Sequence, residues 1–300
     1  MCIRDRSYCL DVVDRYKKRN PQCVTMADLY YPNEQFILDE LSPVLKEMGL
    51  QKNLDKLCAN ANFTKKLMDS ENRFVLPSHY MVNTFKRYYP DKTYYVVSYG
   101  INKYKFYKRR KVKVAGEKIS NFVFAGTISV EKGCNILCEL FSQHPDLDLY
   151  MYGNIHFDEV EVFKKYKNIP NIHFMGSVSK DTLHQNFLSY DVGIHTSWFD
   201  AYSLSVSEMI GTGLPVIVSD KTGIMDEVQE HELGLVATMT EQSILDAILS
   251  ITNLDNYNHY LSSIDHYLSI DRPSYGEKLI NLYKELSLIH ISEPTRRSYI

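Results

Sequence analysis

The sequence predicts an α/β protein of two doubly wound lobes, the first of them incomplete. Three observations carry this. Short apolar runs alternate with amphipathic segments of roughly ten residues, the pattern of βαβ units around a parallel sheet. From residue 121 the alternation repeats about six times, enough for one whole doubly wound lobe. A chain of 300 residues accommodates two domains, and 44% hydrophobic with 24% charged residues is ordinary globular composition.

Taken in order, CVTMA (23–27) reads as a strand, FILDELSPVLKEM (36–48) as a helix and RFVLPS (73–78) as a strand. HYMVNTFKRY (79–88) reads as a helix and TYYVVSYG (93–100) as the strand that closes the first lobe. The second lobe opens with the strand NFVFAG (121–126) and the helix EKGCNILCELFSQH (131–144). It continues through LDLYMYG (147–153), VEVFKKY (160–166), NIHFMG (171–176) and KDTLHQNFLSY (180–190). DVGIHTS (191–197), SLSVSEMIGTG (203–213), LPVIVSD (214–220) and LGLVAT (233–238) complete the series. Polar helical segments follow, ending near INLYKEL (280–286), where late helices can pack across a two-domain junction. The division expected is therefore 7–102, a basic connection at 103–118, and 119–285.

The extreme ends read differently. MCIRDR at 1–6 resembles the translation of a transposon-end sequencing adapter, and LSLIHISEPTR at 286–296 resembles its opposite strand. Residues 1–6 and 286–300 are accordingly set aside from fold reasoning, and natural sequence is expected to be missing on both sides.

Composition excludes several function classes. The formal net charge of -3 supplies no global basic field for nucleic acid. No run of about eighteen apolar residues predicts a membrane span, and the start of the chain lacks the apolar core of a signal peptide, so a cytoplasmic chain is expected. The six cysteines, Cys2, Cys9, Cys23, Cys58, Cys134 and Cys138, show neither CxxC spacing nor scaffold density and are expected to stay reduced. Cys134 and Cys138, four apart on one helix face, read as buried apolar residues. Ten histidines stand without metal-ligand spacing, so no metal site is expected. The stretch INKYKFYKRRKVKVAGEK (101–118) has two readings. It is a solvated connection, or, through Lys103, Lys105, Lys108, Arg109, Arg110, Lys111 and Lys113, a patch for an anionic partner such as phospholipid headgroups.

GTG at 211–213 fails as a dinucleotide fingerprint because it closes a helix instead of opening one, and Gly213 reads as the helix-terminating residue. Two places remain. In NFVFAGTISVEKG, Gly126 ends a strand and permits close backbone approach, while Lys132 stands at the mouth of the next helix, where an ammonium can meet a phosphate. In HTSWFDAYSLSVSEMIGTG, a helix opens near Ser203 with Asp200 just before it and Glu208 two turns further on. Free amides at that helix start attract a diphosphate, and a carboxylate at Glu208 can accept two ribose hydroxyls. The plainer readings are a helix-capping acid at Asp200 and a helix surface charge at Glu208.

These segments resemble the C-terminal half of the retaining GT-B glycosyltransferases of family 4, group 1, which carry an E-x7-E signature. FAGTISVEKG (124–133) and MGSVSKDTLHQNFLSYDVGIHTSWFDAYSLSVSEMIGTGLPVIVSDKTG (175–223) follow that family in order and spacing across 121–237. FVLPSHYMVNTFKRYYPDKTYYVVSYGIN (74–102) resembles the stretch closing its N-terminal domain. The resemblance implies two Rossmann-like domains, the first truncated since the family's glycine-rich phosphate loop has no counterpart here. It implies transfer of a hexose-type sugar from a nucleotide-diphosphate sugar to a glycan, lipid-linked or protein acceptor. Anomeric configuration would be retained, with neither metal nor cofactor. On this chain Asp200 would orient the donor hexose, Lys132 with the amides of Ser203 and Leu204 would neutralise the diphosphate, and Glu208 would hold the ribose. Gly126 and Thr127 would border the phosphates, and backbone from Gly176 to Val178 would meet the base.

Three departures qualify the carry-over. Asp200 replaces the first glutamate, Thr127 stands where many members have a diphosphate-gripping arginine, and Ala201 and Ser203 replace glycines. They leave two other readings open: a non-catalytic paralogue that binds nucleotide or a partner protein, and a GT-B nucleotide-sugar epimerase.

Overall fold

The computed structural model describes residues 25–51 and 64–286, together with 15, 17–20 and 55. The adapter-like ends lie outside the described residues except for Leu286, as do Cys2, Cys9, Cys23 and Cys58.

Among the described residues the first lobe holds a three-stranded parallel sheet of β1 (Ala27–Asp28), β2 (Arg73–Leu76) and β3 (Thr93–Val96), in that order. Helix α1 (Glu34–Glu47) starts where the Asn33 side chain accepts from the amides of Gln35 and Phe36, and it buries Ile37, Leu41 and Leu45 at four-residue spacing. Helix α2 (His79–Lys86) starts at Ser78, whose hydroxyl accepts from the Met81 amide.

The second lobe is a six-stranded sheet ordered β6-β5-β4-β7-β8-β9, every pair parallel. Its strands are β4 (Asn121–Ala125), β5 (Asp148–Tyr152), β6 (Ile172–Gly176), β7 (Val192–His195), β8 (Val216–Ser219) and β9 (Gly234–Ala237). The crossovers are α3 (Cys134–Gln143), α4 (Val160–Lys164), α5 (Lys180–Phe187), α6 (Leu204–Gly211) and α7 (Met225–Glu230). Helices α8 (Glu241–Ile251), α9 (Leu254–Ser269) and α10 (Tyr275–Leu286) follow. The order reverses between β4 and β7, and the carboxyl ends of those two strands open the crevice where such sheets take ligands.

Alternate residues of β4 serve opposite faces. Phe122 and Phe124 pack with Leu137, Phe141 and Ile248, whereas Val123 and Ala125 pack with Val206, Met209 and Ile210. Strands β7 and β8 are buried at every position, as expected of strands covered on both faces. Cys134 and Cys138 are free and buried in this core, and burial pushes the Cys138 thiol up to about 12.

The basic connection corrects one reading. It is a strap bound along the second lobe, not a freely solvated linker. Arg110 is half-buried and donates to the carbonyls of Phe187 and Tyr190 at 2.7 and 2.6 Å. Lys105 pairs with Asp181 (2.5 Å), Arg109 with Asp265 (2.7 Å) and Lys113 with Asp191 (2.9 Å). The Tyr104 amide donates to the Gly211 carbonyl, and a Cβ on Gly211 would lie 2.3 Å from the Asn102 carbonyl oxygen. Gly213, at φ 90°, ends α6 in the conformation the sequence called for. Helix α10 crosses to the first lobe: the Tyr275 hydroxyl donates to Asp28 at 2.9 Å, and Lys278 donates to the Ser98 carbonyl at 3.3 Å.

Candidate functional site

Two loops at the switch point build the site. The β4–α3 loop carries Lys132, and the β7–α6 loop carries Asp200. They are tied to each other: the Trp198 amide donates to the Glu131 carbonyl at 2.9 Å, and the Ser197 hydroxyl to the same carbonyl at 3.3 Å. Gly133 makes this approach possible. It sits at φ 68°, and a Cβ there would fall 1.9 Å from the Thr196 carbonyl oxygen.

Lys132 Nζ lies 2.9 Å from Asp200 Oδ2. The other carboxylate oxygen accepts from the amides of Tyr202 (3.1 Å) and Ser203 (2.6 Å), so Asp200 fixes the turn that leads into α6 without capping the helix itself, whose N-cap is Ser203. His195 Nε2 is 3.4 Å from Asp200 Oδ2, and its ring stacks on Phe124 at 5.7 Å between centroids. Burial alone would raise the Asp200 carboxyl, but Lys132 and the neighbouring imidazole outweigh it and hold the group well below the usual carboxylate range. Burial would likewise lower Lys132, yet Asp200 and Glu131 raise it overall and keep the ammonium charged. For His195 burial wins, and the imidazole is held below its ordinary value.

Glu208 belongs to a second cluster. Its carboxylate pairs with Lys180 at 2.6 Å and faces His184 Nε2 at 3.2 Å. Tyr104 of the strap stands edge-on to His184, centroids 4.5 Å apart. With 13% of its side chain exposed, Glu208 is no helix surface charge.

A cavity of about 450 Å³ opens past the carboxyl ends of β4, β5 and β6, lined by residues that include Gly126, Thr127, Gly153, His156, Phe157 and Val178. The Gly126 amide donates to the Tyr152 carbonyl at 2.9 Å, and a Cβ on Gly153 would strike the Gly126 carbonyl oxygen at 1.9 Å. Gly176 ends β6 at φ 69° and accepts from the Gly153 amide. Phe157 is 72% exposed, an unusual state for a phenylalanine and one that suits stacking on a flat ligand.

The structure thus brings Lys132, Asp200 and Ser203 together, sets Gly126, Thr127 and Val178 around the cavity, and leaves Glu208 with Lys180 and His184. One expectation needs correcting. The Ser203 amide is spent on Asp200 and is not free for an anion, while the Leu204 amide lies one residue further into α6, where helix-start donors lack intrahelical acceptors. Sequence reasoning missed His195, Lys180 and His184. His195 carried a faint signal, as the last residue of a buried strand ending at the switch point. The described residues include no group of three or more His, Cys, Asp or Glu arranged to hold a metal ion.

Comparison with known proteins gives a consistent picture. A family model described as "Glycosyl transferases group 1" matches residues 106–264. Sulfoquinovosyl transferase SQD2 of Arabidopsis thaliana is 29% identical over 112 residues, which is 37% of this chain but only 22% of that protein. Among solved structures, the Anabaena protein HepE in complex with UDP and glucose aligns over 95% of this chain and 76% of its own, at 18% identity and TM-score 0.63. Sucrose-phosphate synthase from Thermosynechococcus elongatus aligns over 93% of this chain and 77% of its own, at 15% identity and TM-score 0.63. At such identities the structural likeness speaks for the fold, that of the GT-B glycosyltransferases.

Proposed function

The chain belongs to the group 1 glycosyl transferases, and from that premise we propose that it moves a hexose-type sugar from a nucleotide-diphosphate sugar to an acceptor, with retention and without a metal ion. The observation that carries this reading is the Lys132–Asp200 pair at the switch point, 2.9 Å apart and fixed on loops tied to each other.

The diphosphate leaving group needs positive charge as the glycosidic bond breaks. Thr127 carries none, so the task falls to Lys132 and to the start of α6 beginning with the Leu204 amide. Asp200 holds Lys132 in place and presents its carboxylate to the donor sugar. Glu208 takes the ribose hydroxyls by exchanging its contact with Lys180, whose side chain is 63% exposed and free to swing aside. The base enters the cavity bordered by Gly126, Thr127 and Val178, with backbone from Gly176 onward along its edge. The acceptor approaches from the first lobe. Among the described residues no helix is long and apolar enough to cross a membrane. Contact with an anionic lipid surface would fall to Lys108 and Lys111, with Lys103 over the Tyr107 ring (4.4 Å) beside them, since Lys105, Arg109, Arg110 and Lys113 are engaged internally.

The test is a calorimetric panel of UDP, GDP, ADP and their common sugar conjugates in the presence of a chelator. We expect one base to bind, with affinity about 10- to 100-fold lower in Glu208→Ala, the range for a charged hydrogen bond. No binding by folded protein would overturn the reading. A second reading, a non-catalytic paralogue, is favoured by Thr127 and by the engagement of both Asp200 oxygens. It is separated by incubating protein with the bound conjugate and assaying release of free sugar or nucleoside diphosphate, which only the enzyme produces.

A further inference from the structure

The first lobe packs Tyr80 against the two loops that build this site, and the function above does not use it. Tyr80, on the first turn of α2, is 5% exposed. Its ring packs with Ile37 and Leu41 of its own lobe and with Val130 and Phe199 of the other. Phe199 immediately precedes Asp200, and Val130 lies two residues before Lys132. The position is locked from two residues upstream: Ser78, which caps α2, donates through its hydroxyl to the Ala201 carbonyl across the lobes at 2.9 Å. Phe36 meets the ring edge-on, centroids 6.2 Å apart.

A phenylalanine would satisfy every one of those contacts. The Tyr80 hydroxyl is buried and has no hydrogen-bond partner. An unpaired buried hydroxyl is costly enough that native proteins rarely keep one without a ligand or water to meet it. It is also not alone. Asp220 Oδ1 and Ser203 Oγ are buried without partners, and both belong to segments bonded to Asp200. The Ser203 amide is bonded to the Asp200 carboxylate, and the Asp200 amide donates to the carbonyl of Lys221, next to Asp220. Three orphaned oxygens on segments that meet at Asp200, none belonging to a residue that lines the base cavity, suit a hydroxyl-rich group better than a nucleobase.

We propose that Tyr80 contacts the substrate, its Oη donating a hydrogen bond to a hydroxyl of the sugar carried by the donor, so that the first lobe reads the sugar as well as the acceptor. The inference rests on the nucleotide-sugar reading above. The direction of donation follows from the surroundings: burial, with the charges of Glu40, Asp200 and Asp220, pushes the phenol well above its ordinary value and keeps it protonated.

The experiment compares Tyr80→Phe with the unaltered chain by calorimetry, using UDP against UDP-glucose, with the GDP/GDP-mannose and ADP/ADP-glucose pairs run in parallel. Thermal denaturation of both proteins accompanies it. We expect an unchanged affinity for the nucleoside diphosphate and an affinity for the sugar conjugate about 3- to 15-fold weaker, as for one hydrogen bond lost. Equal affinities in both proteins for both ligands, whatever the change in melting temperature, would overturn the proposal and leave Tyr80 a packing residue. Equal weakening for nucleotide and conjugate would overturn it too, since the hydroxyl would then act on the fold or the nucleotide. If the unaltered chain binds no nucleotide of the panel, the transferase reading itself fails and takes this inference with it.

Discussion

Asp200 and Glu208 stand eight residues apart around one helix start, carry the same charge and are both mostly buried, yet they are held in different ways. The partners of Asp200 are fixed: two backbone amides, a lysine only 20% exposed, and an imidazole 3% exposed. Glu208 is held chiefly by Lys180, whose side chain is 63% exposed. The first acid is part of the architecture of the switch point, whereas the second is lightly tethered and can trade its lysine for a ligand. In a binding crevice this division has a use. One carboxylate keeps the loops and the cation in register before anything binds, and the other gives up little when the ligand arrives.

The largest effect that would break the comparison is removal of the cation. Lys132→Ala leaves Asp200 ionised in a crevice with no compensating charge, and losing one member of such a pair costs about 3 kcal/mol of stability. Affinity for a nucleoside diphosphate should fall about 100-fold, as a charge-assisted contact disappears. Lys180→Ala, by contrast, should cost under about 0.5 kcal/mol, because the lysine end of its ion pair is largely solvated and His184 remains beside the carboxylate. Urea denaturation of both variants checks the difference, and similar losses at the two sites would show that the two acids are held alike.

Acid should act on the Asp200 side first. Burial keeps His195 neutral in the native state, with its affinity for a proton below that of the unfolded chain. As pH falls through about 6.5 the unfolded chain takes up a proton that the native imidazole resists, and stability drops by up to about 1.4 kcal/mol per pH unit. Asp200, also depressed, adds a loss only below about pH 3.8, where the unfolded carboxyl protonates. Denaturant midpoints at pH 7.5 and 5.5 for the unaltered chain and His195→Gln provide the measurement. We expect the variant to show the shallower decline, and parallel declines would remove His195 as the source.

The sequence made the outer frame of this site legible. Strand endings at Ala125 and His195, the helix opening at Leu204 and the spacing of Asp200 from Glu208 are local patterns, and all follow from alternation and composition. What stayed hidden depends on contacts between distant residues. Nothing near Lys180 or His184 announces that α5 turns them toward Glu208, and the basic run at 103–118 reads the same whether it is solvated or strapped to a lobe, until the carbonyls of Phe187 and Tyr190 are seen to receive Arg110. Tyr80 was hidden for the same reason: its ring belongs to a core shared between lobes, and only the geometry leaves its hydroxyl without a partner. Helix α7, six residues after a turn, is too short to raise a periodic signal.

The smallest effect tests how tightly the Asp200 side is built. Ser203 sits at φ 68°, one of two non-glycine residues with positive φ among the described residues, because both its own amide and that of Tyr202 turn inward to the Asp200 carboxylate. A Cβ in that region costs about 1–2 kcal/mol, and glycine returns roughly 0.5–1 kcal/mol of this through its freer unfolded chain. Ser203→Gly should therefore gain about 1 kcal/mol, a rise of roughly 2–4 °C in Tm for a chain of this size. Ser203→Ala keeps the Cβ and deletes only the orphaned hydroxyl, so it should recover less of the backbone strain. If glycine instead lowers Tm, the left-handed turn is not strained and the carboxylate is not forcing it. If glycine stabilises the fold while weakening nucleoside diphosphate binding about 3-fold or more, the Ser203 hydroxyl is held in that turn for the ligand, and the rigid acid shapes its surroundings as well as its own position.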